Sequence, residues 1–126
     1  MEKNVITTKN APGAIGPYSQ GVSIGELVFT SGQLPINPAD GTLIADDIKK
    51  AAAQSLENVK GILEEAGTSL DKVVKTTVYL KDLADFAAVN EIYAGYFNGV
   101  CPARSCVQVA KLPMDAPIEI EAIAAK

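Results

Sequence analysis

The chain has 126 residues, carries a net charge of −4 and contains no histidine. Its length is typical of a single domain, here residues 1–126, that can bury a core of its own. The missing histidine excludes Ser-His and Cys-His nucleophile pairs and His-containing metal sites, and the acidic balance gives nucleic-acid binding no electrostatic basis.

The composition also limits location and redox chemistry. No apolar run approaches the roughly 18 residues that span a membrane, and the polar first residues lack the apolar core of a secretion signal. We therefore expect a cytoplasmic protein with no membrane partner. The two cysteines, Cys101 and Cys106, have no second pair to complete a zinc site, so we expect free thiols and no metal.

The first third of the chain predicts a loop followed by a hairpin. The loop is rich in Gly and Pro, and Tyr18 gives it one large side chain with a polar tip. Residues 20–24 and 27–33 alternate in polarity as two paired strands would. The second strand ends in Ser31 and Gly32, which are small enough for a ligand to approach the backbone closely.

A helix follows the hairpin. Asp46 or Asp47 can cap its N-terminus, apolar residues recur at three- and four-residue steps to about Ala66, and Gly67 stands where a C′ glycine belongs. We expect this helix to be scaffold without chemistry of its own.

The second half of the chain predicts a strand at residues 70–81, a second helix ending near Phe97, a strand around Arg104 and a last strand at residues 118–125. The residues that can start the second helix are Asp82 and Asp85. Its expected buried stripe is Phe86, Val89, Tyr93 and Phe97. Asn90 is a polar exception in the middle of this helix, which indicates either a surface residue or a site residue.

The predicted sheet has two unlike faces. The face expected to meet the core carries Val74, Thr76, Val78, Leu80, Ile118, Ile120, Ala122 and Ala124. The opposite face is expected to carry Lys75, Thr77, Tyr79, Arg104, Cys106, Gln108 and Glu119. Because two helices cannot cover both faces, the element order predicts an α+β fold with both helices on one face. We expect the second face to contact another copy of the chain in a closed, semi-polar oligomer.

Arg104 is the only arginine, whereas the other ten cations are lysines. A lone guanidinium in an apolar strand suggests a planar, two-pronged grip on a carboxylate or phosphate. The alternative is a structural ion pair. If the last two strands paired directly, Glu119 would lie roughly 16 Å from Arg104 along the strands, which disfavours that particular pair within one chain.

Four stretches, in order, resemble one known family. They are Asn10-Ala-Pro with Ile15-Gly-Pro-Tyr18, Thr30-Ser31-Gly32-Gln33 with Pro35 and Asn37-Pro38, Pro102-Ala-Arg104-Ser-Cys106-Val, and Ile118-Glu119-Ile-Glu121-Ala-Ile-Ala. The similarity runs from end to end, and the chain is identified from it as a member of the Rid family (reactive intermediate deaminase, also called YjgF).

This resemblance implies a chorismate-mutase-like fold with a mixed sheet, and a homotrimer with the helix-free sheet face inward and pockets between subunits. It implies cofactor-independent hydrolysis of 2-iminopropanoate and 2-iminobutanoate, which pyridoxal-phosphate-dependent dehydratases release, to 2-oxo acids and ammonia. By position, Arg104 matches the carboxylate-binding arginine. The other positions that match the family's pocket are Tyr18, Ser31, Gly32, Asn90, Cys106 and Glu119.

Several alternatives stay open at this point. Glu121 lies on the same predicted face as Glu119 and rivals it as general base, and only the family motif favours Glu119. We expect Cys106 to contact substrate through its backbone rather than act as nucleophile, because no histidine can activate it. Residues 98–101 form a shorter segment than many members have, and the role of Cys101 within it is undefined.

Two other functions compete with the deaminase. The same pocket could hold a small acid without turnover, in a regulator or chaperone-like module. Proteins of the family have also been described as ribonucleases or translation inhibitors, but the net negative charge, single arginine and missing histidine argue against RNA cleavage here.

Overall fold

A computed structural model describes residues 1–126. Its strands are β1 (Asn4–Ile6), β2 (Gly21–Ile24), β3 (Leu27–Thr30), β4 (Val73–Leu80), β5 (Ala103–Gln108) and β6 (Ile118–Ala125), and its helices are α1 (Ile48–Glu65) and α2 (Phe86–Tyr96). The strands form one sheet in the order β1-β2-β3-β6-β4-β5. Only β4 and β5 are parallel, and the other neighbouring pairs are antiparallel. The predicted α+β class with a mixed sheet is confirmed.

Helix α1 begins and ends as the sequence indicates. The Asp47 side chain accepts hydrogen bonds from the N–H groups of Lys49 and Lys50, both at 3.1 Å. At the other end Gly67 has φ +86°, and its N–H donates to the Glu64 carbonyl while the Thr68 N–H donates to the Leu63 carbonyl. These two bonds form a Schellman motif, which satisfies carbonyls that the helix end would leave unpaired.

Both helices pack on one face of the sheet and share its core. Leu56, Val59, Ile62 and Leu63 of α1 and Val89 and Tyr93 of α2 are buried there together with Val28, Val78, Leu80, Ile118 and Ile120 of the strands. The alternation predicted for β6 is confirmed, since its even-numbered residues are buried and its odd-numbered residues are half-buried on the other face. Neither helix is long and apolar enough to cross a membrane.

Four local predictions need correction. Phe86, expected in the buried stripe of α2, is 39% exposed. Strand β1 was not predicted, and residues 70–72 form a 3-10 turn rather than the start of β4. A bulge between Val73 and Lys75 breaks the alternation, so Val73 is buried and Val74, expected on the core face, is 49% exposed. The bulge inserts one unpaired residue, and every side chain before it therefore changes face.

Arg104, Cys106 and Gln108 lie on the face opposite to the one predicted. In the parallel register, Arg104 is the partner of Thr76 and Cys106 the partner of Val78, both buried under the helices. Because neighbouring residues in a ladder point to the same side, Arg104 and Cys106 belong to the helix-covered face. The helix-free face keeps Lys75, Thr77, Tyr79 and Glu119, as expected.

Candidate functional site

The Arg104 guanidinium is held by helix α2 but by no carboxylate. Its Nη1 donates to Oδ1 of Asn90 at 2.8 Å, and its Cζ lies 4.7 Å from the Tyr93 ring centroid and 5.4 Å from that of Phe86. The ion pairs of the chain join Lys49 to Glu91 and Lys81 to Asp115. The structural-ion-pair alternative for Arg104 therefore fails within this chain.

The ring beneath Arg104 is itself fixed. The Tyr93 hydroxyl and Thr76 Oγ1 are 2.7 Å apart and buried, and the Tyr93 ring packs on Phe97 with centroids 4.6 Å apart. Burial raises the pKa of Tyr93, while the bond to Thr76 and the charge of Arg104 act in the opposite direction. Tyr93 thus remains a neutral phenol, with its face available to a cation.

Four of the predicted site residues line one cavity of about 630 Å³. They are Tyr18, Ser31, Gly32 and Glu119. The cavity also has apolar walls, contributed by Ile15, Leu34, Ile36, Pro113 and Met114. A concave space that combines apolar walls with several polar side chains and one carboxylate is typical of a small-molecule site.

Gly32 lets the Glu119 carboxylate lie directly against the backbone. A Cβ at position 32 would overlap the Glu119 carboxyl group, including Oε2, so any other residue would displace that side chain. The close approach is possible because residues 32 and 33 run beside β6, where the Gln33 N–H donates to the Ile120 carbonyl at 2.7 Å. The observed position of the Glu119 side chain therefore requires glycine at position 32.

The two hydroxyl groups of the cavity differ in what they can offer a ligand. Ser31 Oγ already donates to the Ser19 carbonyl at 2.5 Å, so a ligand meets it mainly as an acceptor. The Tyr18 hydroxyl accepts a long bond of 3.4 Å from the Ile15 N–H, and its side chain is 52% exposed. Its own proton is free to be donated.

The two glutamates of β6 have different surroundings. Burial, with a smaller contribution from the charge of Glu121, raises the pKa of Glu119 above its usual value. Glu121 instead accepts a hydrogen bond from the Tyr79 hydroxyl at 3.0 Å, and burial followed by this bond raises the pKa of Tyr79. Glu119 is thus the carboxyl whose proton affinity is increased and which faces the cavity.

Cys106 is poorly suited to nucleophilic attack. Burial raises the pKa of its thiol, against the weaker opposing effect of Arg104, so the thiolate is disfavoured. Cys101 is exposed, and the two thiols are not joined. No three Cys, Asp or Glu side chains are close enough together to hold a metal ion.

Within one chain the candidate residues form two separate groups. Arg104, Asn90 and Cys106 lie at the helix-covered face near edge strand β5, whereas Tyr18, Ser31, Gly32 and Glu119 line the cavity beside β6. Strand β4 separates β5 from β6, and Glu119 points to the opposite side of the sheet from Arg104. A single chain does not bring the only arginine to the raised-pKa carboxyl.

Sequence periodicity placed Tyr93 and Thr76 in the core and did not indicate that they lie beneath Arg104. The tyrosine in a stripe otherwise made of Phe and Val could have indicated this, because a buried phenol requires a polar partner.

Comparisons of both the sequence and the structure with known proteins match nearly the whole chain. The sequence model of the family described as Endoribonuclease L-PSP matches residues 8–126. The chain is 56% identical over 124 residues to the 2-iminobutanoate/2-iminopropanoate deaminase of Salmonella typhimurium, covering 96% of each protein. Among solved structures, it superimposes with a TM-score of 0.97 on the Rid-family protein YyfA of Yersinia pestis (49% identity, 99% and 100% covered). It superimposes with a TM-score of 0.93 on E. coli TdcF with bound serine (51% identity, 98% of each chain).

Proposed function

The chain belongs to the Endoribonuclease L-PSP family, which includes the Rid proteins, and from this premise we propose that it is a 2-iminobutanoate/2-iminopropanoate deaminase. It converts short 2-imino acids to 2-oxo acids and ammonia. Full-length relatives at 56% identity carry this name, and an identity of that size over nearly the whole chain supports the same chemistry.

One observation carries the proposal: Arg104 is held in position without a carboxylate of its own. A guanidinium has five N–H donors, of which Asn90 accepts one. The remaining donors can form two parallel bonds to the carboxylate of an imino acid. Asn90, predicted as a substrate contact, acts in this proposal by orienting Arg104.

Glu119 is proposed as the general base. A protonated imine is attacked by water at its carbon, and Glu119 would accept one proton of that water and return it to the nitrogen. The carbon–nitrogen bond then breaks as the C=O bond forms, and the remaining hydroxyl proton passes through Glu119 to the departing ammonia, which leaves as ammonium. The reaction consumes one water per imine and needs no electron transfer. A carboxyl with a raised pKa suits both steps near neutrality, and the Tyr18 hydroxyl and the Gly32 backbone line the same cavity.

The proposed active site is shared between copies of the chain. Since Arg104 and Glu119 lie on opposite faces of one sheet, we propose that the Arg104 group of one subunit meets the Glu119 cavity of the next in a homotrimer, with the helix-free sheet face inward. The same proposal includes a cytoplasmic location and a metabolic link to pyridoxal-phosphate-dependent dehydratases, which release the substrates. A nucleic-acid partner is not part of it.

A second candidate is a binding module that holds a small acid without turnover. It is favoured by TdcF, a relative whose crystal structure contains bound serine, an amino acid rather than an imine. Ribonuclease activity is less compatible with a chain that has a net charge of −4 and no histidine.

The decisive test is the release of 2-oxobutanoate from a threonine dehydratase reaction, timed with and without the protein. We expect acceleration by the wild type. Arg104→Lys keeps the charge but loses the planar fork, so the acceleration should fall about 100-fold, as expected when a charge-assisted bidentate contact is lost.

The matched control is Lys49→Arg, an equally conservative exchange at an exposed ion pair, which should keep the full rate. Circular dichroism would verify that both variants are folded. No acceleration by the wild type would favour the binding module. Full activity of Arg104→Lys would remove the carboxylate grip from the mechanism.

A further inference from the structure

Beside Arg104, the hydroxyl of Tyr93 is bonded to the neighbouring strand β4. Thr76 on β4 is the ladder partner of Arg104 on β5, and its hydroxyl lies 2.7 Å from that of Tyr93. The same Tyr93 ring lies 4.7 Å below the guanidinium. One aromatic ring is therefore bonded to a strand at its hydroxyl and covered by a cation on its face.

These contacts restrict the guanidinium in complementary ways. The Asn90 amide oxygen fixes one edge through Nη1, and the Tyr93 and Phe86 rings lie within the range at which cations are attracted to aromatic faces. A free arginine side chain loses rotamer entropy when it binds a ligand. A side chain held in advance loses less when the ligand arrives.

The hydroxyl of Tyr93 distinguishes this arrangement from ordinary core packing. Phenylalanine would fill the same space against Phe97, whereas Tyr93 adds a buried hydroxyl whose partner, Thr76, is only 1% exposed. That bond links the ring to β4. Because Thr76 and Arg104 are adjacent across the ladder, the ring stays in register with the guanidinium.

We propose that Tyr93 is a positioning residue for Arg104, with its ring anchored by Thr76 so that the guanidinium presents its free N–H groups in one fixed plane to the substrate carboxylate. The role rests on the proposed deaminase function. Tyr93 itself touches no substrate, and it acts through the orientation of Arg104.

The central experiment uses the full-length protein with Thr76→Val and Tyr93→Phe combined. The double variant removes both hydroxyls, so neither is left buried without a partner, and it keeps the packing volume. We expect the KM for the imine to rise about 5-fold with kcat changed less than 2-fold, because the grip acts equally on bound substrate and transition state. Tyr93→Leu, which removes the ring, should raise KM further.

A matched control is available on the same helix. Tyr96 donates its hydroxyl to Glu57 at 2.7 Å, away from Arg104, and Tyr96→Phe should leave KM and kcat unchanged. An equal rise in KM for Tyr96→Phe would show a general effect of weakening α2 and would overturn the positioning role.

A second readout does not depend on turnover. Arg104 is the only arginine, so its Nε–H signal in ¹⁵N NMR spectra is unambiguous. We expect slow exchange with water and a ring-current shift in the wild type, with faster exchange in the double variant and loss of the shift in Tyr93→Leu. An unchanged Arg104 signal together with an unchanged KM would overturn the proposal.

A third readout is the binding of 2-oxobutanoate, measured by calorimetry. The double variant should bind it about 5-fold more weakly than the wild type, and the difference should vanish in an Arg104→Ala background. A difference of the same size in that background would contradict action through Arg104. A wild type that shows the NMR signature and binds the oxo acid but hydrolyses no imine would refute the deaminase and leave the positioning of Arg104 supported.

Discussion

At the scale of single residues, Glu119 and Glu121 show how two neighbouring carboxyls on one strand acquire different properties. Glu119 lies against Gly32 in the cavity with its pKa raised by burial, whereas Glu121 is bonded to Tyr79. The sequence predicted both on one face and separated them only by family resemblance. The difference depends on Gly32 and Tyr79, which are distant in sequence, so no local pattern could reveal it.

The pH dependence of hydrolysis follows from this difference. Because the pKa of Glu119 is raised, kcat/KM should fall as the pH decreases through a value above the 4.5 of an ordinary glutamate. Glu121→Gln removes a neighbouring negative charge and so should lower the pKa of Glu119. The decrease in kcat/KM at acid pH (the acid limb of the profile) should then occur at lower pH, while the maximum rate stays within about 3-fold of the wild type. Glu119→Gln should be inactive and therefore show no acid limb. The measurement is the pH profile of imine hydrolysis for the three proteins.

The same shift has a consequence for stability. The folded state of the wild type binds the Glu119 proton more tightly than the unfolded state does, so this group makes the protein less stable as the pH rises through the folded pKa. Glu119→Gln should therefore unfold at a higher denaturant concentration than the wild type at pH 7, and this advantage should shrink at pH 4.

In the pH profile of hydrolysis, an acid limb that does not move in Glu121→Gln would contradict the influence of the Glu121 charge on Glu119.

At the scale of elements, one glycine that ends helix α1 and one that lies inside helix α2 should respond to alanine substitution in opposite directions. Gly67 has φ +86° in the Schellman motif, so Gly67→Ala forces a side chain into a left-handed conformation and should lower the free energy of unfolding by about 1 kcal/mol. Gly95, inside α2 with open space around it, provides the matched control. Gly95→Ala should raise the stability by about 0.5 kcal/mol. Urea denaturation measures both, and a neutral Gly67→Ala would contradict the Schellman assignment.

Most of the elements could be predicted because each has a local cause. Helix α1 has a capping aspartate and a terminal glycine, and β6 has strict alternation. The face of Arg104 could not be predicted in the same way. Alternation within β5 groups Arg104 with Cys106, but the side on which they lie is determined by the register between β4 and β5. That register depends on a parallel pairing that the sequence does not encode locally.

The edge position of β5 explains why the pattern was misleading. On this strand the charged Arg104 is half-buried, whereas the apolar Val107 is 44% exposed. This is the reverse of the usual rule that the apolar side of a strand faces the core. Strand β1, three residues long, is likewise too short to show a period. The cavity residues were predicted individually, and their grouping into two sets became visible only in the folded chain.

At the scale of the whole molecule, the division of the proposed site between subunits can be tested by mixing. Arg104→Ala and Glu119→Gln should each be inactive alone. If the two residues act across a subunit boundary, co-assembly at equal amounts gives both native residues at about one quarter of the interfaces, since each is present with a probability of one half in a closed ring. The rate of imine hydrolysis after joint refolding should approach that fraction of the wild-type rate.

Joint refolding of Arg104→Ala with Arg104→Lys is the control, because no pairing of these chains restores the arginine. A mixture of the Arg104 and Glu119 variants that stays as inactive as its components would contradict the shared site.

The placement of Arg104 and Glu119 on opposite sides of one sheet also bears on how the activity would respond to protein abundance. If each copy supplies the arginine for one pocket and the glutamate for another, an isolated copy has no complete pocket. At low protein concentration, the proposed deaminase activity would then fall more steeply than the number of molecules, and any agent that separated the copies would abolish the activity without touching the substrate.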